Sequence, residues 1–182
     1  MKHTKWLLDP THSVLGFKIK HLMITNVSGS FKNFHAEVET EDEDFSTANI
    51  QLRAEISSLD TNNPQRDAHL RTSDFFEAEK YDEMIFASTN IEKIDEENFY
   101  LYGNLTMKGV TKPVKLNVEY SGVTKDPWGG ERAGFTVTGK INRTDWGINF
   151  NAVLETGNLM LAEEVKINGE IQLVKQAALV AA

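Results

Sequence analysis

Five histidines, His3, His12, His21, His35 and His69, are the first candidates for metal or proton chemistry. None stand at the H-x-H or H-x-x-x-H spacing that sets two imidazoles on one face of a strand or helix. His12 and His21 differ in parity, so on one strand they face opposite sides. The expectation for His12 is a backbone hydrogen bond at the start of that strand, and no metal site is assigned. Cysteine is absent, which removes thiol nucleophiles, disulfides, iron–sulfur clusters and cysteine zinc sites together. No G-x-S-x-G elbow and no glycine-rich phosphate loop occur, and His12 and Ser13, as chain neighbours, point to opposite faces. Arg143 and Asp145, beside Trp146, read either as an acid/base pair in a pocket or as a structural ion pair in a turn, the commoner arrangement at that spacing. No catalytic residue is assigned, and an enzyme acting through these two residues or His69 is the competing hypothesis.

Charge is unevenly placed. The 27 acidic and 19 basic residues give a net charge of -8, which argues against a nucleic-acid backbone or an anionic membrane face as the main partner. Six carboxylates between Glu37 and Asp44, and three at Asp95, Glu96 and Glu97, read as solvated turns between strands. Neither run has the EF-hand spacing or its glycine. Against this background Arg66, His69 and Arg71 form a small basic cluster next to Phe75 and Phe76. They would either meet a polar or anionic headgroup at a cavity mouth or form a solvated helix face with Asp67 and Asp74 as partners.

The elements that would position these groups are mostly strands. Ile50, Leu52, Ala54 and Ile56 alternate with Gln51, Arg53 and Glu55, the period-two pattern of a strand with one buried face. The pattern recurs through Leu15, Phe17 and Ile19, through Phe99, Leu101, Leu105 and Met107, and through Val114, Leu116, Val118 and Tyr120. It recurs again through Phe135, Val137 and Ile141, and through Val165, Ile167, Ile171 and Leu173. Segments Phe31–Val38 and Met84–Ile91 complete eight principal strands. The first changes parity between Phe31 and Phe34, which predicts a bulge near Lys32 and Asn33. In the second, Met84 and Phe86 compete with Ile85, Ala87 and Ile91 for the inward face. Trp6–Leu8, stopped by Pro10, reads as an edge or lid piece. One helix is predicted, capped by Asn63, opened by Pro64 and running through Gln65–Ser73 over one barrel end. Residues 1–175 form one domain, and 176–182 form a small apolar tail, loose or helical.

Eight antiparallel strands with single-faced patterns are expected to close into an all-β barrel, because closure removes exposed edges. Such a barrel is either filled by its own side chains or holds one small ligand. Gly103, Gly139 and Gly169 fall at inward positions. They either leave room for a cavity or permit bending and close packing under large neighbours. Phe17, Phe31, Phe86, Phe99 and Phe135 in strands, with Phe75 and Phe76 after the helix, likewise fit either a packed core or an apolar lumen suited to a long hydrocarbon. A mean hydropathy of -0.38 and the lack of eighteen consecutive apolar residues exclude a membrane-spanning helix. The opening MKHTKWLLDP has no secretory pattern, so a cytoplasmic location is expected, or a periplasmic one if a leader has been removed.

Several ordered motifs resemble the YceI-like family. They are Asp9-Pro10-Thr11-His12-Ser13 with Phe17, Lys20-His21-Leu22 and Gly29-Ser30-Phe31, then Ser58 to Asn63 with Arg66, Asp67, Leu70 and Asp74-Phe75-Phe76. Leu105 to Val114 and Asn142-Arg143-Thr144-Asp145-Trp146-Gly147 follow. The likeness spans about Trp6 to Leu173. It implies a lipocalin-like antiparallel barrel, often a homodimer, whose apolar cavity takes a long-chain amphiphile such as a polyisoprenoid, isoprenoid quinone or fatty-acid derivative. With this resemblance, the expected lipid contacts are Phe17, Ile19, Phe31, Leu52, Phe75, Phe76, Phe86, Phe99, Leu101, Leu116, Phe135, Val137, Trp146 and Ile167. Arg66, His69 and Arg143 are the headgroup candidates. No cofactor beyond the bound lipid, no nucleic acid and no stable membrane insertion are expected.

Overall fold

The computed structural model describes residues 2–178. Eleven strands follow one another as β1 (His3–Leu8), β2 (Val14–His21), β3 (Thr25–Phe31), β4 (Phe34–Glu41), β5 (Asp44–Glu55) and β6 (Leu59–Asp60). After helix α1 (Pro64–Leu70) come β7 (Glu83–Lys93), β8 (Asn98–Met107), β9 (Val110–Lys125), β10 (Glu131–Asn142) and β11 (Leu161–Lys175). All pairings are antiparallel, and β1-β4-β5-β7-β8-β9-β10-β11 closes into a ring through β1 and β11. Three of the eight staves are broken. β1 continues past the Pro10–His12 turn as β2, β4 is the continuation of β3, and β5 resumes after Ile56–Ser58 as β6. Past the breaks, β2, β3 and β6 pair only with β11 and one another, so the ladder stays open at that end.

The alternating segments fall where their patterns place them, and the break at Lys32 and Asn33 is the predicted irregularity. There Lys32 N–H donates to the Ser58 carbonyl and Asn33 N–H to Ser58 Oγ. The competing parities in β7 each hold over part of the strand, with Ile85 and Ala87 left outside the cavity lining. Met84 and Phe86 are buried, and a register shift between Ser88 and Asn90 then turns Ile91 inward.

Two expectations are corrected. Trp6–Leu8 is no edge piece, because β1 lies between β4 and β11 and closes the barrel, with Trp6 wholly buried. Pro10 ends this strand without isolating it. The acidic run Glu37–Asp44 is mostly strand. Glu37, Glu39 and Glu41 face water on β4 while Ala36, Val38 and Thr40 face the core, which leaves only Asp42 and Glu43 for the turn. Asp95–Glu97 is the expected turn.

The helix is shorter than predicted. Asn63 Oδ1 accepts from Arg66 N–H, and Pro64 opens the helix, but it ends at Leu70, and residues 71–82 continue as turns. Lys108 donates to the Ser73 carbonyl, and Tyr81 packs on Gly109 of the β8–β9 turn. Residues 61–82 thus reach from β6 to β8 over the open end. Of the tail, Gln176 N–H bonds the Lys5 carbonyl, and 179–182 lie outside the described residues.

Candidate functional site

The barrel encloses a cavity of about 490 Å³, within the size range of small-ligand pockets. The lining comes from the inward faces of the staves and from Leu70, Phe75 and Phe76 of the cap. Nearly all of it is aliphatic or aromatic. Inward residues such as Phe17, Leu52, Phe135, Val137 and Ile167 are only partly buried because one side of each borders this space.

Of the fourteen apolar residues singled out from sequence, thirteen line the cavity: Phe17, Ile19, Phe31, Leu52, Phe75, Phe76, Phe86, Phe99, Leu101, Leu116, Phe135, Val137 and Ile167. Trp146 does not. It is buried outside the cavity wall, with its indole N–H donating to the Leu105 carbonyl at 2.9 Å, a bond that locks the turn after β10 to β8.

The three inward glycines divide. A Cβ on Gly103 would lie 2.4 Å from the Phe86 ring, and one on Gly139 would lie 2.6 Å from a Leu116 methyl. These two accommodate cross-strand neighbours. Phe86 folds down over the bare backbone of Gly103 instead of projecting across the lumen. Gly29 receives the Phe17 ring in the same way. Only Gly169, among the three, borders the cavity with ordinary van der Waals space where a Cβ would stand.

The two barrel ends differ. At the end holding the chain termini, Phe45 packs against Trp6, Tyr120 and Phe135 with ring centroids 4.9–5.3 Å apart. Burial pushes the Tyr120 phenol above its ordinary value. Ion pairs tie the strands outside this plug. Arg132 bonds both Asp9 and Asp126, and Lys175 bonds both Glu43 and Glu131. The His12 imidazole bonds the Asp9 carboxylate at 2.8 Å, so its partner is a side chain and not the expected backbone group. That bond, with Arg132 and the Thr11 amide, holds the Asp9 pKa at about 2.

Polar side chains enter the lining only at the helix end, as Thr61, Arg66, His69, His21 and Arg143. Here lies the mouth, where His69 keeps 45% of its side chain exposed. Its ring meets Phe75 and Phe150 edge-on at 5.1 and 4.9 Å, and its Nε2 lies 2.9 Å from Asp74. Arg66 donates to the Thr61 hydroxyl and carbonyl. Arg71 turns away to the Ser57 and Leu59 carbonyls, and Asp67 is buried accepting from Thr61. The basic cluster therefore splits, with Arg66 and His69 at the cavity and Arg71 outside it.

Arg143 is neither half of an acid/base pair nor half of an ion pair with Asp145. It is 4% exposed and donates to the carbonyls of Ala162, Ile148 and Phe150, while Asp145 faces solvent. Its Nη2 has no hydrogen-bond partner among the described residues, and burial pulls its pKa below the ordinary value. No cluster of three His, Asp or Glu side chains suited to a metal occurs among the described residues.

Sequence reasoning missed Phe150, Met160, Thr61 and His21 as lining residues. The first two lie on the 147–160 loop and Thr61 before the helix, where no periodicity marks an inward face. His21 was visible as the next residue of matching parity after Leu15, Phe17 and Ile19.

The family model for the YceI-like domain matches residues 6–173, almost the whole chain. The protein belongs to the YceI-like family. A UPF0312 protein of Staphylococcus aureus is 40% identical over 170 residues, covering 93% of this chain and 96% of that one. A Staphylococcus epidermidis relative is 42% identical over the same extent. The solved Campylobacter jejuni YCEI protein is 34% identical, with a TM-score of 0.74 over 88% of this chain and 91% of that one. Two more distant structures share the fold: BcnA of Burkholderia cenocepacia (TM-score 0.77, 21% identity, 91% and 98% covered) and a polyisoprenoid binding domain from Saccharophagus degradans (0.61, 16%, 95% and 98%).

Proposed function

We propose that this YceI-like protein sequesters or carries one long-chain amphiphilic lipid, a polyisoprenoid, an isoprenoid quinone or a fatty-acid derivative, without transforming it. The observation that carries the reading is the enclosed apolar cavity whose polar lining is confined to one end. A hydrocarbon chain gains about 0.8 kcal/mol for each methylene it buries, with no hydrogen-bonding demand on the wall. Thr61, Arg66, His69 and Arg143 then stand where a polar head would come to rest. An acceptor oxygen on the ligand would give Arg143 Nη2 the partner it lacks. The polyisoprenoid binding domain with the same fold is consistent with this ligand class.

The test is solvent extraction and mass spectrometry of protein purified from its own cells, beside a Gly169→Leu variant. A near-stoichiometric long-chain amphiphile is expected, with occupancy several-fold lower in the variant, whose added side chain enters the lumen. Overpacking of this kind costs about 1–3 kcal/mol, so folding is followed in parallel. Native protein that yields no such molecule, or a folded variant with undiminished occupancy, overturns the reading.

A further inference from the structure

The turn between β2 and β3 exposes three consecutive large apolar residues, Leu22, Met23 and Ile24, at 38%, 49% and 77%. Its backbone is also costly. Leu22 (φ 53°) and Met23 (φ 61°) both occupy the left-handed region, which hairpin turns ordinarily fill with Asn or Gly. None of the three lines the cavity or joins the core. Packing and turn chemistry therefore both fail to account for these side chains.

The tip adjoins the cavity mouth. Leu22 N–H donates to the Met160 carbonyl at 2.8 Å, and Met160 and His21 both line the cavity. The loop carrying Met160 also exposes Val153 and Leu159, which face each other across a β-bridge. Charge follows the same geography. Residues Val14–Phe31 include Lys18 and Lys20 and not one carboxylate, in a chain with 27. Lys18 pairs across the sheet with Lys166, and Lys166 with Lys140, a row of three lysines flanked toward the mouth by Glu164, paired with Lys140, and Glu163, beside Asn142.

We infer that the Leu22–Ile24 tip docks on the surface of a lipid bilayer containing anionic headgroups, setting the cavity mouth against the membrane that supplies or receives the ligand. This rests on the lipid-binding reading of the cavity. A narrow tip of three side chains falls far short of the roughly 800 Å² per partner of a stable protein interface. It suits a fluid interface, into which apolar side chains sink by about 5–10 Å. Lys18, Lys20 and Lys166 add attraction to anionic lipid beside the apolar tip.

Flotation with phosphatidylcholine vesicles, with and without phosphatidylglycerol, tests the inference on the intact protein. The wild type is expected to float with phosphatidylglycerol vesicles at low salt. Ile24→Asp should reduce the vesicle partition constant by about tenfold, equivalent to about 1.4 kcal/mol, leaving melting temperature and uptake of a soluble fluorescent fatty acid unchanged. Lys18→Glu with Lys20→Glu should remove only the phosphatidylglycerol-dependent part. With Ile24→Trp and Trp128→Phe, brominated lipid should quench the new tryptophan, whereas native Trp128, at the opposite end, should not be quenched. A wild type that floats with neither vesicle, or an Ile24→Asp protein that floats as well as the wild type, overturns the inference. So does a dimer in sedimentation velocity that Ile24→Asp dissolves, since the tip would then hold a second copy. Flotation of a protein that yields no long-chain amphiphile on extraction would instead overturn the reading of the cavity.

Discussion

One end of the barrel is finished and the other is left open, although the same staves run through both. At the terminus end β1 completes the ring, aromatic rings fill the bore, and Arg132 and Lys175 each join two carboxylates. At the helix end the staves break, residues 61–82 replace sheet, and polar side chains and exposed Leu, Met and Ile gather around the mouth. On the proposed lipid-binding reading, the difference assigns stability to one end and ligand traffic to the other. A barrel capped alike at both ends would hold a ligand without a route to release it.

Trp6 separates the two ends most sharply. Trp6→Ala should cost about 3–5 kcal/mol in denaturant unfolding, because it removes a fully buried indole and leaves a cavity against Phe45, while release of a bound fluorescent fatty acid stays nearly as slow. Phe150→Ala at the mouth should do the reverse. Removing a half-buried ring that meets His69 and Phe75 should cost about 1–2 kcal/mol yet speed release several-fold in stopped flow. Equal stability losses, or faster release from Trp6→Ala alone, would erase the distinction.

The smallest effect concerns Asp9. Its folded pKa of about 2 lies below the ordinary 3.8, so its ionised form stabilises the fold above pH 3.8, and that contribution is lost as the pH falls toward 2. Partial solvent screening reduces it to about 1 kcal/mol. Asp9→Asn should therefore lower stability by about that amount at neutral pH, and the two proteins should converge in acid unfolding below pH 3.8. A constant difference down to pH 2 would show that the Asp9 contacts act by shape and not by charge.

Much of the barrel was legible because a strand with one buried face writes its orientation in every second residue. That is why lining positions such as Phe17, Leu52, Leu101, Leu116, Phe135 and Ile167, and the break at Lys32 and Asn33, could be read, while Asn63 before Pro64 was legible as a helix cap. β7 could not be given a register, because its bulge at Ser88–Asn90 switches parity midway and makes each pattern hold over part of the strand. Trp6–Leu8 carries no local sign that it closes a ring, since that depends on Val38 and Lys175 lying beside Trp6. Arg143 misled through its nearness to Asp145, whereas its direction is set by carbonyls up to nineteen residues away. Gly103 and Gly139 look like Gly169 in sequence, and only the lean of Phe86 and Leu116 tells them apart.

The three broken staves carry a consequence for motion. Around the terminus end the hydrogen-bonded ladder is continuous, so opening any one amide there must work against the whole ring. Past the breaks, β6 has a free edge, and the cap is held mainly by side-chain contacts and not by a strand ladder. Amide exchange should accordingly fall into two classes, with slow global protection in β8–β11 and faster local opening in β2, β3, β6 and α1. On the proposed reading, a cap of the second class would let a bound lipid leave while the barrel itself stays folded.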